Sequence, residues 1–98
     1  MQNSFIILDN NVILLGQMPD TEISGKTLKI LNPYLVIPDN KQVLIIPYMK
    51  DILGQEVKEI DINSAHILTI LSAENNSILQ TYLKEISGIV TNDEIILG

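Results

Sequence analysis

The chain contains no cysteine, no tryptophan and no arginine, and two of these absences exclude a kind of chemistry. Without cysteine there is neither a disulfide framework nor a thiol nucleophile. Without arginine there is no planar donor that pairs bidentately with phosphate or guanine. All six basic residues are lysines, and they are outnumbered by twelve aspartate and glutamate residues. The net charge of −6 disfavours broad attraction to a nucleic-acid backbone, and any such contact has to come from a local site.

Charged residues are also scarce, whereas aliphatic residues are abundant. Of the 98 residues, 46% are hydrophobic and 18% are charged, which suits one domain over residues 1–98 with some apolar surface covered by another chain. The aliphatic residues are mainly isoleucine, leucine and valine, which favours strands over helices. No apolar run is long enough to span a bilayer, and no basic segment precedes one at the N-terminus. We therefore expect a cytoplasmic protein with no membrane partner.

Short apolar segments separated by turn residues predict five strands over about residues 5–71. The first two form a hairpin across residues 9–11, because asparagine tolerates the positive φ of a tight turn. Gly16 lies inside the second strand, where glycine indicates a bend, a bulge or a close approach of backbones. The apolar residues of this strand alternate, so we expect two sets on opposite faces: Val12, Leu14 and Met18 toward the core, and Ile13 and Leu15 on the other face. A kink is expected at the Asn-Pro pair 32–33, and residues 50–60 fit either a helical turn or a loop.

The spacing of the apolar residues changes after the last strand. From Ile78 to Ile86 they recur at helical spacing, which predicts a helix over about residues 75–87 that packs on the barrel. Tyr82 lies on this apolar stripe and is expected in the core. The tail, residues 89–98, either frays or adds a strand to a neighbour.

The hairpin sequence resembles the first signature of the Sm-like family of small β-barrel proteins. The residues that fall on its spacing without a gap are Leu8, Asn10, Leu14, Gly16 and Met18. Asn11 stands where the family usually has glycine, and asparagine is well able to replace glycine in a left-handed turn. The second signature is kept in its apolar positions, which are Ile62, Ile67 and Ile70. Asn63 and Ser64 occupy the positions of the family's Arg-Gly pair.

The layout as a whole is similar to a divergent group of Sm-like proteins from tailed phages of cyanobacteria. The matching segments are Asn-Pro-Tyr at 32–34, Pro-Tyr-Met at 47–49 and Leu-Thr-Ile at 68–70, followed by the helix. The resemblance covers about residues 5–87. The chain differs from typical Sm-like proteins in three respects: the helix follows the barrel, residues 50–60 form an extra excursion, and arginine is missing.

The resemblance implies a strongly bent five-stranded barrel with a C-terminal α-helix. It also implies a homo-oligomeric ring of about five to seven copies, joined through edge strands. At the ring pore it implies weak binding of RNA or a nucleotide, where two loops meet. The candidate binding residues in these loops are Glu22, Lys26, Thr27, Asn63, Ser64 and His66. Because the family's Met-Asn and Arg-Gly pairs are replaced, the simpler interpretation also stands, that these are ordinary solvated turn residues.

No constellation for catalysis or metal binding can be assembled from the sequence. Ser64 and His66 lie on one turn, with no positioned carboxylate and no oxyanion loop. Only Glu59 and Asp61 are close enough in sequence to His66 to suggest metal ligands, and their spacing is not that of a metal site. We therefore expect neither catalytic residues, nor a metal, nor a cofactor.

Two aromatic residues next to prolines leave nucleic-acid contact open. Tyr34 and Tyr48 can stack on a base if they are exposed, although packing against proline is the more common use. We predict a non-enzymatic, ring-forming binding or scaffold protein with weak RNA or nucleotide contact at its pore. The alternative is a purely structural or protein-interaction ring, for example a phage component, which would place it in the host cytoplasm.

Overall fold

The structure, a computed structural model, describes residues 2–19 and 25–87. The described part is mainly β-strand with a C-terminal helix, as the sequence predicts. A 3-10 turn, Ser64–His66, joins the last two strands. The elements in chain order are β1 Gln2–Leu8, β2 Ile13–Met18, β3 Thr27–Asp39, β4 Gln42–Pro47, α1 Lys50–Leu53, β5 Glu59–Asn63, β6 Ile67–Ser72 and α2 Ser77–Ser87. The tail at 89–98 and Glu22 lie outside the described residues.

The described residues form six strands where the sequence predicts five, because residues 59–63 form an additional strand, β5, beside β3. Leu31 of β3 pairs with Gln17 of β2 on one side and with Glu59 of β5 on the other. Further along β3, Tyr34 pairs with Leu15 of β2 and, on the opposite side, with β4. β4 and β5 are therefore collinear along the same side of β3. The prediction was wrong in assigning no strand to β5, and residues 48–58 are the excursion that divides the two segments.

A bend in the middle of β3 lies at the Asn-Pro pair where the sequence predicts a kink. Asn32 has a φ of 49°, a left-handed conformation that strand residues rarely adopt. Its carbonyl accepts a hydrogen bond from the Tyr82 hydroxyl at 2.8 Å, and its side-chain amide donates to Gln17 at 3.0 Å. Tyr82 is fully buried, as predicted, and its burial raises the pKa of the phenol well above the usual value. Helix α2 is thus tied to the bend.

Apolar side chains fill both faces of the sheet, which explains the aliphatic-rich sequence. Leu14 and Met18 belong to one buried cluster, and Leu15 belongs to a second that includes Tyr82 of α2. Alternate residues of a strand point to opposite faces, and this is the division that the sequence predicts for β2. Side chains of β5 and β6, from different parts of the sheet, pack against the first cluster. The sheet therefore curls around that cluster, and α2 covers the other.

Gly16 is required by the packing around the bulge between β2 and β3. The pairing of the two strands shifts register between Leu15 and Gln17, on either side of Gly16. A Cβ added to Gly16 would overlap the Cγ2 of Ile30, which is fully buried, and would lie 3.3 Å from the Leu31 carbonyl oxygen. The glycine in this strand therefore makes room for a neighbouring side chain, at the bulge that the sequence pattern indicates.

Candidate functional site

The structure brings together the ends of the two loops that hold the predicted binding residues. Thr27 of β3 is the register partner of Asn63 at the end of β5. The carbonyl of Lys26 accepts hydrogen bonds from the backbone N–H of Ser64, at 2.8 Å, and from the Ser64 hydroxyl, at 3.1 Å. These four residues form one surface group, which we call the loop cluster. Glu22, the fifth residue predicted here, is not among the described residues.

Two side chains of the loop cluster stabilise the turn itself. The side-chain Oδ1 of Asn63 accepts from the backbone N–H of Ala65 at 2.9 Å, which caps the 3-10 turn. The Ser64 hydroxyl is directed to the Lys26 carbonyl. The side chains of Lys26 and Thr27 are exposed, and neither forms a hydrogen bond or ion pair with the rest of the described chain. The cluster can therefore offer a ligand one ammonium group and one hydroxyl.

His66, the sixth predicted residue, has a partner that sequence reasoning missed. Its Nδ1 lies 2.8 Å from Oδ2 of Asp9 in the turn between β1 and β2. A backbone hydrogen bond joins the same two residues: the N–H of Asp9 donates to the His66 carbonyl at 2.9 Å. The sequence suggested only Glu59 and Asp61 as neighbours of His66, and Asp9 carries no local signal because it is 57 residues away. His66 and Asp9 thus fasten the first hairpin to the 3-10 turn.

A cleft of about 540 Å³ opens beside this His-Asp contact. Leu8, Leu14 and Ile62 supply aliphatic walls, and Asp9 and His66 lie at its polar side. The cleft is open to solvent rather than enclosed.

The two tyrosines that could stack on a base differ in their exposure. Tyr34 is buried beneath α2, where its ring meets Tyr82 edge to face with centroids 5.3 Å apart. Burial also raises the pKa of its phenol. Tyr34 is therefore unavailable to a nucleic acid, which corrects one of the two options drawn from the sequence. Tyr48 is half-buried and lines the cleft.

The acidic residues around β5 belong to a solvated, lysine-paired surface. Glu59 accepts from the Lys29 ammonium at 2.6 Å, and Asp61 lies 3.8 Å from the same nitrogen. The hydrogen bond to Glu59 and the nearby charge of Asp61 raise the pKa of Lys29, whose side chain is exposed. In residues 2–19 and 25–87 no three potential ligand side chains are grouped closely enough to hold a metal ion. This surface resembles an ordinary exposed ion-pair network.

The largest unexplained feature of the surface is the pair of uncharged sheet edges. The strand order is β4, β3, β2, β1, β6, so β4 and β6 lie at opposite ends of the sheet. Neither strand contains a charged residue. Both expose large apolar side chains, which are Val43, Leu44 and Ile46 on β4 and Leu68 and Leu71 on β6. β5 pairs with β3 on one side and with no described strand on the other. By contrast with β4 and β6, it exposes two charged residues, Glu59 and Asp61.

No family model matches the chain, and no curated protein is significantly similar to it. Across the two described stretches, no helix is long and apolar enough to cross a membrane. The features of the described chain that bear on function are the two sheet edges and the loop cluster.

Proposed function

We propose that the protein is a non-enzymatic ring subunit in which the β4 edge of one copy pairs with the β6 edge of the next. The observation that carries this proposal is the apolar, uncharged character of both edges. Edge strands expose unpaired N–H and C=O groups, and proteins that remain monomeric commonly protect them with charged residues. Two different edges at opposite ends of one sheet give a head-to-tail contact, which closes into a ring when the rotation between copies permits.

Strand length and charge support the same pairing. β4 and β6 are each six residues long, so one can accompany the other along its whole length. The face of β5 that carries Glu59 and Asp61 is unsuited to the contact, because burying those charges against another copy is costly. The proposed contact therefore joins two different edges, β4 of one copy and β6 of the next.

The Sm-like part of the proposal is supported by the local structure at two signature positions. Asn11, which replaces the family's turn glycine, has a φ of 68° and so adopts the left-handed conformation that glycine favours. Gly16, which the family shares, is required by the packing of Ile30. These residues support the proposal that the chain is an Sm-like protein with its fourth strand interrupted by residues 48–58.

The absolute mass in solution tests the ring directly. Light scattering coupled to gel filtration near neutral pH is expected to give about five to seven times the chain mass of 10.9 kDa. The peak should have one mass across its width, because a closed ring has no free edge at which to grow. A monomer of 10.9 kDa at every protein concentration would reject the proposal, and a continuous ladder of masses would reject ring closure.

Weak RNA or nucleotide contact at the loop cluster is a second candidate function. The observation that favours it is the meeting of the two predicted loops, with the Lys26 ammonium unpaired in the described chain. We expect a short A-rich or U-rich oligonucleotide to bind at low salt with a salt-dependent fluorescence anisotropy. Lys26→Gln should lower the slope of log K against log salt by about 0.7 for each copy that contacts a phosphate.

Lys84→Gln is the matched control for this measurement. It removes the same charge from the exposed surface of α2 and should leave the salt slope unchanged. Equal effects of the two substitutions would indicate only a general loss of positive charge. Absence of binding even at low salt would reject the RNA contact and leave a purely structural or protein-interaction ring.

A further inference from the structure

Helix α1 carries apolar side chains that the chain's own core does not use. It is a single turn within the excursion 48–58, and none of its residues is buried. Ile52 is 74% exposed and Leu53 is 54% exposed. Burying aliphatic side chains of this size is favourable, so two adjacent ones left in water are candidates for contact with a partner.

The excursion holds these two side chains in a fixed place. At its base the Tyr48 N–H donates to the Pro33 carbonyl at 3.0 Å, and the Lys58 carbonyl accepts from the Asn32 N–H at 2.8 Å. Gly54 ends the helical turn in a left-handed conformation, with a φ of 72°, and donates its N–H to Lys50. The excursion is therefore built on the bend of β3 and presents Ile52 and Leu53 from a defined position.

We propose that α1 extends the subunit contact, so that Ile52 and Leu53 pack against the copy whose β6 pairs with β4. This inference rests on the proposed ring. Among the described residues seven large hydrophobic side chains are exposed; five lie on the two edge strands, and the other two are Ile52 and Leu53. Since α1 begins three residues after β4 ends, its apolar surface follows directly on the β4 edge.

The size of the strand contact requires such an extension. A strand of six residues is about 20 Å long and a sheet is about 10 Å thick, so the pairing covers about 200 Å² of each copy. A stable, specific interface usually covers about 800 Å² of each partner. The strand pair alone is too small. The adjoining apolar surface of α1 supplies part of the missing contact area.

The charge of the excursion favours a second copy of this chain as the partner. Residues 48–58 contain two lysines and two acidic residues and are neutral, whereas the whole chain has a net charge of −6. Glu56 lies 3.1 Å from the Lys58 ammonium and 3.8 Å from that of Lys50, so these charges are paired within the excursion. A neutral apolar surface can approach another copy of an acidic protein without the repulsion that opposes contact elsewhere.

The double substitution Ile52→Ser with Leu53→Ser tests the inference in the full chain. We expect the concentration at which the ring dissociates, measured by sedimentation equilibrium, to rise about tenfold or more. Asp51→Ser is the matched control, because it changes an exposed residue of the same helical turn with no ion pair in the described chain, and it should leave dissociation unchanged. Far-UV circular dichroism should be the same for all three proteins, since α1 has no buried residue.

Comparison with an edge substitution separates this inference from the proposed ring. If Leu68→Lys dissociates the assembly while the serine pair does not alter its dissociation, the ring stands and the role of α1 is rejected. If the wild-type protein is monomeric, both are rejected. If the serine pair splits the assembly into smaller closed rings of constant mass, α1 joins ring to ring, and the contact proposed here is rejected.

Discussion

Lysine in place of Leu68 is expected to convert the proposed ring into folded monomers. Leu68 lies on the β6 edge and is 64% exposed in the single chain, so its replacement removes little packing within the chain. In the pairing with β4, however, the new ammonium would be buried against aliphatic side chains with no acid among the β4 residues. An uncompensated buried charge costs several kcal/mol, which is enough to abolish the contact. Light scattering should then give the chain mass of 10.9 kDa.

Leu44→Lys makes the same test at the other edge. In a head-to-tail ring every interface contains one β4 and one β6, so either substitution alone should dissociate the assembly completely. Gln80→Lys adds the same charge to an exposed position of α2 and should leave the mass unchanged. An assembly that survives lysine at Leu68 and at Leu44 would contradict edge pairing. Loss of assembly with only one of the two would indicate a symmetric contact between like edges.

Strand alternation explains why the division of the core could be predicted from the sequence. The prediction placed Leu14 and Met18 on one face and Leu15 on the other because successive strand side chains point in opposite directions. The structure confirms it, with the two sets in separate buried clusters. Such local patterns, and the left-handed preference of asparagine at residue 11, need no knowledge of distant contacts.

The missed strand β5 shows how a local pattern can be assigned to the wrong element. Residues 59–63 alternate polar and apolar, and the structure exposes the polar ones and partly buries Ile60 and Ile62. The sequence interpretation instead left residues 50–60 open between a helical turn and a loop, and it assigned no strand to residues 59–63. Strict alternation over five residues was the signal that favoured a strand. Its pairing with the first half of β3 could not be inferred locally, because the partners are about 30 residues apart.

The candidate site depended still more on contacts between distant residues. Ser64 and the Lys26 carbonyl are 38 residues apart, and no spacing in the sequence predicts their hydrogen bond. The two loops were expected to meet only because the chain resembles Sm-like proteins. The exposed apolar edges had a compositional signal, the excess of aliphatic over charged residues, but only the sheet order shows that this excess lies on β4 and β6. Composition predicts that a partner surface exists, and topology is needed to locate it.

Alanine in place of Gly16 is expected to lower the free energy of unfolding by about 2 kcal/mol. The backbone at Gly16 does not have a positive φ, so the cost is steric: the new methyl group overlaps the Cγ2 of Ile30 inside a filled cluster. Urea unfolding should be followed in the Leu68→Lys background, where association does not add to the measured stability. A neutral or stabilising effect, of the kind that replacing glycine commonly gives at an unhindered strand position, would contradict the packing described here.

A double-mutant cycle with Ile30→Leu identifies the cause of this loss. Leucine keeps the volume of isoleucine but has no branch at Cβ, so it removes the Cγ2 that the new methyl group meets. The double variant should therefore be more stable than the sum of the two single effects, by about 1 kcal/mol. Gly25→Ala is the control: a Cβ there has nothing within 4 Å, and its cost arises from a φ of +65°. Its effect should add to that of Ile30→Leu without coupling, because no contact joins the two sites.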